Sequence, residues 1–67
     1  MIKFKENLRA YRQARSMTQK ELAKKTGLTH EWISHYENGR RLPSLQNLIK
    51  LADALNISID ELARREK

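Results

Sequence analysis

Apolar residues along the chain recur at helical rather than strand spacing. Phe4, Leu8 and Tyr11 lie three or four apart, which predicts a first helix over about 3–15. Thr18-Gln19-Lys20-Glu21 follows. This is a capping box: the threonine hydroxyl accepts from the amide three residues on, and the glutamate returns a bond to the cap. It opens a second helix, 18–25, that buries Leu22 and Ala23 and stops at Gly27, where a left-handed backbone carries no Cβ penalty. Thr29 caps a third helix over 29–37, and Asn38-Gly39 ends it. Arg40-Arg41-Leu42 is a loop, closed by Pro43. Ser44 caps a fourth helix, 44–55, with Leu45, Leu48, Ala52 and Leu55 on one face and Asn56 as its left-handed stop. Ser58-Ile59-Asp60-Glu61 is a second capping box, opening a fifth helix over 58–65 that buries Leu62. Valine is absent and no apolar–polar alternation persists, which argues against strands. The expected fold is all-α: a compact five-helix bundle with short connections, one domain over 1–67.

Composition narrows what such a bundle does. No apolar run exceeds two residues, far short of the ~20 of a membrane-spanning helix and of a signal peptide's apolar segment. Without cysteine there is neither a disulfide framework nor a thiolate metal site. The 14 Lys+Arg residues against 8 Asp+Glu give a net charge of +6, which points to nucleic acid or another anionic surface. The excess lies entirely in the first half. Lys3, Lys5, Arg9, Arg12, Arg15, Lys20, Lys24 and Lys25 face only Glu6 and Glu21 there, and the rest of the chain balances. Punctuated, capped helices suit a core and not a basic membrane-surface peptide. No nucleophile–base set, paired carboxylates or glycine-rich phosphate loop is present, so neither an enzyme nor a cofactor is expected. His30 and His35 fall about 140° apart on a helix and have no neighbouring ligand, so no metal site is expected either.

The third helix divides its chemistry between two faces. His30, Glu31, Ser34, His35 and Asn38 fill one arc, while Ile33 and Tyr36 fill the other with Trp32 at the border. An ordinary amphipathic surface helix has this shape too. Here, however, the polar arc holds no lysine or arginine in a chain rich in both. Short imidazole, carboxylate, hydroxyl and amide groups suit directional bonds to base edges in a major groove. The long cations stand before and after the helix, where a phosphate backbone would pass.

The run from Gln19 to Gly39 resembles the helix-turn-helix of the phage Cro and lambdoid repressor family, also called XRE-like. Ala23, Gly27 and Ile33 carry the core of the pattern, supported by Leu22, Leu28 and Tyr36. Glu37-Asn38-Gly39, Pro43-Ser44, Leu51 to Leu55 and Ser58 to Leu62 extend the likeness over most of the chain. The resemblance implies a lambda-repressor-like fold and a transcriptional regulator, typically a repressor, whose third helix enters the major groove while the second spans the backbone. Carried over residue by residue, it makes His30, Glu31, Ser34 and His35 base-contacting. Glu31 accepts from a cytosine amine or acts by excluding wrong sequences. Gln19 matches a phosphate-contacting glutamine, and Thr18 and Thr29 combine capping with a backbone contact. Trp32 packs across the helix border with its indole N–H toward phosphate, stacking on an unpaired base being the alternative. Asn38, Arg40 and Arg41 follow the helix as candidates for the DNA backbone or an adjacent minor groove, although the two arginines also suit a plain solvated loop. The family pattern further pairs Arg12 with Glu37 as a structural ion pair, a donated bond from Arg12 to phosphate being the alternative. Leu42, Ile57 and Ile59 either complete the core or form a dimer contact. The implied partner is double-stranded operator DNA, roughly palindromic, bound by a weak homodimer that DNA favours. Bacterial or phage origin and a cytoplasmic location are implied as well. The competing reading is a protein-interaction module, antitoxin-like or coactivator-like, that uses the same fold with weak DNA binding.

Overall fold

The computed structural model describes residues 3–64. Five helices follow one another: α1 (Phe4–Ala14), α2 (Gln19–Thr26), α3 (His30–Glu37), α4 (Leu45–Leu55) and α5 (Ile59–Leu62). Both capping boxes form. Thr18 Oγ1 accepts from the Glu21 amide at 3.0 Å and Glu21 Oε1 accepts from the Thr18 amide at 2.8 Å. Ser58 and Glu61 repeat this exchange at 3.0 and 3.1 Å. Thr29 and Ser44 cap α3 and α4 through the Trp32 and Asn47 amides, each at 3.2 Å.

The helix ends are as well defined as the starts. After α4 the chain turns left-handed at Asn56 (φ 56°), and the Ile57 amide donates back to the Ala52 carbonyl at 3.0 Å. Gly39 (φ 75°) follows α3 in the same way, with the Arg40 amide on the His35 carbonyl at 3.0 Å. These are Schellman turns, which satisfy carbonyls that the last turn leaves open. The third of this kind is unannounced by sequence: Ser16 ends α1 at φ 54°, and the Met17 amide reaches the Arg12 carbonyl at 3.2 Å.

One boundary and one helix face differ from expectation. The fifth helix ends at Leu62, not near residue 65. The Asn7 side-chain amide donates to the Leu62 and Arg64 carbonyls at 3.1 and 3.2 Å, so α1 supplies partners to carbonyls that the end of α5 leaves open. Residues beyond 64 lie outside those described. On α4 the buried stripe is Leu51, Ala52 and Leu55 with half-buried Leu48, whereas Leu45 in the first turn is 68% exposed.

Phe4 and Leu8, Leu22 and Ala23, Ile33 and Tyr36, the α4 stripe and Leu62 form one core to which every helix contributes. Tyr36 is its largest member. Its ring meets Phe4 edge-on at 6.2 Å, and its hydroxyl accepts from Asn47 Nδ2 at 3.0 Å, so the phenol oxygen has a partner. α3 packs on both α1 and α2, and this fixes its rotation.

Candidate nucleic-acid interface

α3 is held by one face. Ile33 and Tyr36 enter the core, and Glu37 joins them with only 3% of its surface exposed. A carboxylate buried so deeply needs donors. Arg12 supplies two, Nε to Oε2 at 2.6 Å and Nη2 to Oε1 at 2.9 Å, while its Nη1 donates to the Met17 carbonyl at 2.7 Å. Gln19 Nε2 adds a bond to Oε1 at 3.2 Å, and Arg9 Nε lies 3.5 Å from the same oxygen. Burial disfavours the charged carboxylate, but the hydrogen bonds from Arg12 and Gln19 and the nearby Arg12 and Arg9 charges outweigh it. The Glu37 carboxyl is therefore held below its ordinary range. The hydrogen bond to Glu37 in turn raises the Arg12 guanidinium above its usual value, against the effect of burial.

With that side fixed, the opposite side of α3 is open. His30, Glu31 and Asn38 are exposed, and Ser34 and His35 are half-buried. Asn38 Nδ2 donates to Ser34 Oγ at 3.2 Å. Trp32 is 44% exposed and lies between its neighbours, 5.8 Å edge-on to the His35 ring and 5.9 Å from the Tyr36 ring. His35 Nδ1 is the buried side-chain nitrogen among the described residues that has no hydrogen-bond partner. The ring therefore meets solvent through Nε2.

Cations flank this open face. Lys5 lies against Gly39, where an added Cβ would stand 3.0 Å from its Cδ. Lys5, Arg9, Gln13 and Asn38 line a shallow polar groove between α1 and the end of α3. Arg40 and Arg41 follow immediately and are exposed. At the other end of α3, the start of α2 comes close: Thr18 is exposed, and Gln19 Oε1 lies 3.0 Å from His30 Nε2. The Gln19 amide is thus engaged on both sides within the protein, which a purely phosphate-contacting side chain would not be. The Arg9 ion pair with Glu37 and the Gln19 hydrogen bond to it were not expected from the sequence. Arg9 lies three residues before Arg12 on the same face of α1, and that spacing is the available clue.

The residues suggested for a dimer contact separate. Ile57 and Ile59 are half-buried and pack against the core, whereas Leu42 is 77% exposed beside an apolar cleft formed with Phe4, Pro43, Leu48 and Ala63. Among the described residues no three His, Cys, Asp or Glu side chains come together, and no helix is long and apolar enough to cross a membrane.

Comparison with known proteins gives this geometry its context. A family profile described as helix-turn-helix matches residues 8–62. The chain is 45% identical over 64 residues to the cryptic phage CTXphi transcriptional repressor RstR of Vibrio cholerae, covering 96% of this chain and 57% of that repressor. It therefore spans little more than half of that relative's length. Among solved structures, the restriction-modification controller protein C.AhdI of Aeromonas hydrophila superposes with a TM-score of 0.85 at 41% identity, covering 88% of this chain and 89% of that one. The P22 c2 repressor, solved in complex with a synthetic operator, superposes with a TM-score of 0.87 at 32% identity, covering 94% and 96%. The chain belongs to the XRE-like helix-turn-helix family, and its five helices form the lambda-repressor-like fold of phage repressors and controller proteins.

Proposed function

We propose that this chain binds operator DNA as a transcriptional regulator of the repressor type, with α3 in the major groove and α2 across the phosphate backbone. One observation carries the reading. Ile33, Tyr36 and Glu37 clamp α3 so that His30, Glu31, Ser34 and His35 form a row of short polar groups bordered by Lys5, Arg9, Arg40 and Arg41. The cations and the amides at the start of α2 supply affinity for phosphate, and the row supplies preference among base edges. Thr18, Gln19, Thr29, Trp32, Asn38, Arg40 and Arg41 are the backbone-facing set. The P22 c2 repressor, which shares this fold, is solved in complex with a synthetic operator, and this supports operator DNA as the partner.

Two copies acting about a two-fold axis would place their α3 helices ~34 Å apart on a roughly palindromic site. Exposed Leu42 and its apolar cleft favour that end of the molecule as a weak contact made mainly on DNA.

The test begins with selection of duplexes from a random pool. The enriched duplex is then titrated by fluorescence anisotropy at several salt concentrations. Affinity falls steeply with salt as counterions are released. Replacing His30 and His35 by alanine erases sequence preference, about 1–3 kcal/mol per base contact, while folding persists. A flat salt response, or an unchanged preference in the double variant, defeats the reading. Light scattering of the complex gives the stoichiometry, and a single copy on the enriched site defeats the two-fold arrangement.

A further inference from the structure

Glu37 is not only a buried anchor. As an ionised carboxylate it can accept hydrogen bonds but not donate them. The Gln19 amide beside it is therefore oriented: Nε2 donates to Glu37 Oε1 at 3.2 Å, and the reversed amide would set oxygen against oxygen. That orientation turns Gln19 Oε1 toward His30, whose Nε2 lies 3.0 Å away. A carbonyl oxygen only accepts, so the hydrogen in this contact belongs to His30 Nε2. A neutral imidazole carries one N–H. Nδ1 of His30 is left with its lone pair, makes no hydrogen bond within the protein, and belongs to an exposed residue at the start of α3.

We propose that Glu37, acting through the Gln19 amide, sets the hydrogen-bond polarity of His30, so that His30 meets DNA as an acceptor and selects a base with an exocyclic amine. In the major groove only adenine N6 and cytosine N4 present donors, whereas guanine and thymine present acceptors at the corresponding edge. The proposal rests on the DNA-binding function above. Gln19 and Glu37 are positioning residues in it, and His30 makes the contact.

The polarity can be inverted by one substitution. Gln19→Lys puts a donor-only ammonium between Glu37 and His30, which satisfies the carboxylate and forces His30 Nε2 to accept. The hydrogen then moves to Nδ1. Long-range 1H–15N spectra of the free protein, taken at pH 8 where an ordinary imidazole is neutral, read the two nitrogens directly. In the parent chain Nε2 of His30 gives a protonated-nitrogen signature and Nδ1 an unprotonated one. In Gln19→Lys the two signatures exchange, and in Gln19→Ala they move toward an average. Selection from a random duplex pool supplies the second arm. At the one position that responds to His30→Ala, the parent chain enriches adenine or cytosine by about fivefold, the worth of one net hydrogen bond. Gln19→Lys enriches guanine or thymine there. A proton on Nδ1 in the parent chain, signatures indifferent to residue 19, or the same base enriched by both proteins overturns the proposal. If no duplex is enriched by the parent chain, the DNA-binding function and the base selection fall together, while the spectra still decide the polarity of His30.

Discussion

Replacing Arg12 by leucine tests what holds α3 in place. The change removes both guanidinium bonds to Glu37 and the bond to the Met17 carbonyl. Glu37 keeps Gln19 at 3.2 Å and Arg9 at 3.5 Å, but the Arg9 side chain is 52% exposed and replaces little of what is lost. Breaking one partner of a buried pair costs about 3–5 kcal/mol, and the remaining contacts favour the lower end of that range. A chain of this size has roughly 3–10 kcal/mol in total, at about 0.05–0.15 kcal/mol per residue. The variant should therefore lose about 12–24 °C in Tm, at roughly 4–8 °C per kcal/mol. Its pH dependence differs in sign as well as size. In the parent chain the folded Glu37 pKa lies below its unfolded value. Its contribution is thus complete above the unfolded carboxyl pKa of about 4.3 and is lost as pH falls through the depressed folded value. Without Arg12, burial dominates and lifts the folded pKa above the unfolded one. Stability of the variant then rises as pH is lowered from 7 toward 5, because the folded state takes up the proton. Subtracting the two urea-denaturation profiles cancels the carboxylates they share, such as Glu21 and Glu61. The double variant Arg12→Leu with Glu37→Leu should recover most of the loss, since no charge is stranded. A single variant within 1 kcal/mol of the parent (an order-of-magnitude threshold), with the same acid slope, would refute the reasoning.

Two further outcomes follow from local backbone chemistry. Ser16 sits at φ 54°, where a side chain costs about 1–2 kcal/mol that glycine avoids. Ser16→Gly should raise stability by about 0.5–1 kcal/mol after the added unfolded-state entropy is counted, and a lower urea midpoint would contradict this. Thr18→Ala removes the acceptor for the Glu21 amide and should cost about 1 kcal/mol in thermal unfolding, with Thr18→Ser restoring it.

The fold was legible wherever its cause is local. Thr18, Thr29, Ser44 and Ser58 cap helices because a short hydroxyl side chain before an apolar run has one good use, and Gly27 and Asn56 stop helices for an equally local reason. The buried and open sides of α3 could be read from residue type alone, since Ile33 and Tyr36 had to face the core. What escaped was decided at a distance. Leu45 and Leu51 fit the helical period equally well, and only the neighbouring helices choose between them. Ser16 turns left-handed because the last carbonyls of α1 call for the Ser16 and Met17 amides, a demand no residue preference announces. The carbonyl at the end of α5 finds its partner in Asn7, 55 residues earlier. The link from Glu37 through Gln19 to His30 joins two helix starts and one helix end that are adjacent only in the folded chain.

The Lys3 amide donates to the Arg64 carbonyl at 3.3 Å, so the first and last described residues touch. The five helices therefore have a cyclic order more basic than their linear one. A short bridge across that gap would close a ring, and the exposed stretch Arg40–Leu42 could be cut to give new termini, with α4 leading and α3 last. Such a permuted chain should fold to the same surface, because nothing that builds the α3 face requires the peptide bond between Arg40 and Arg41.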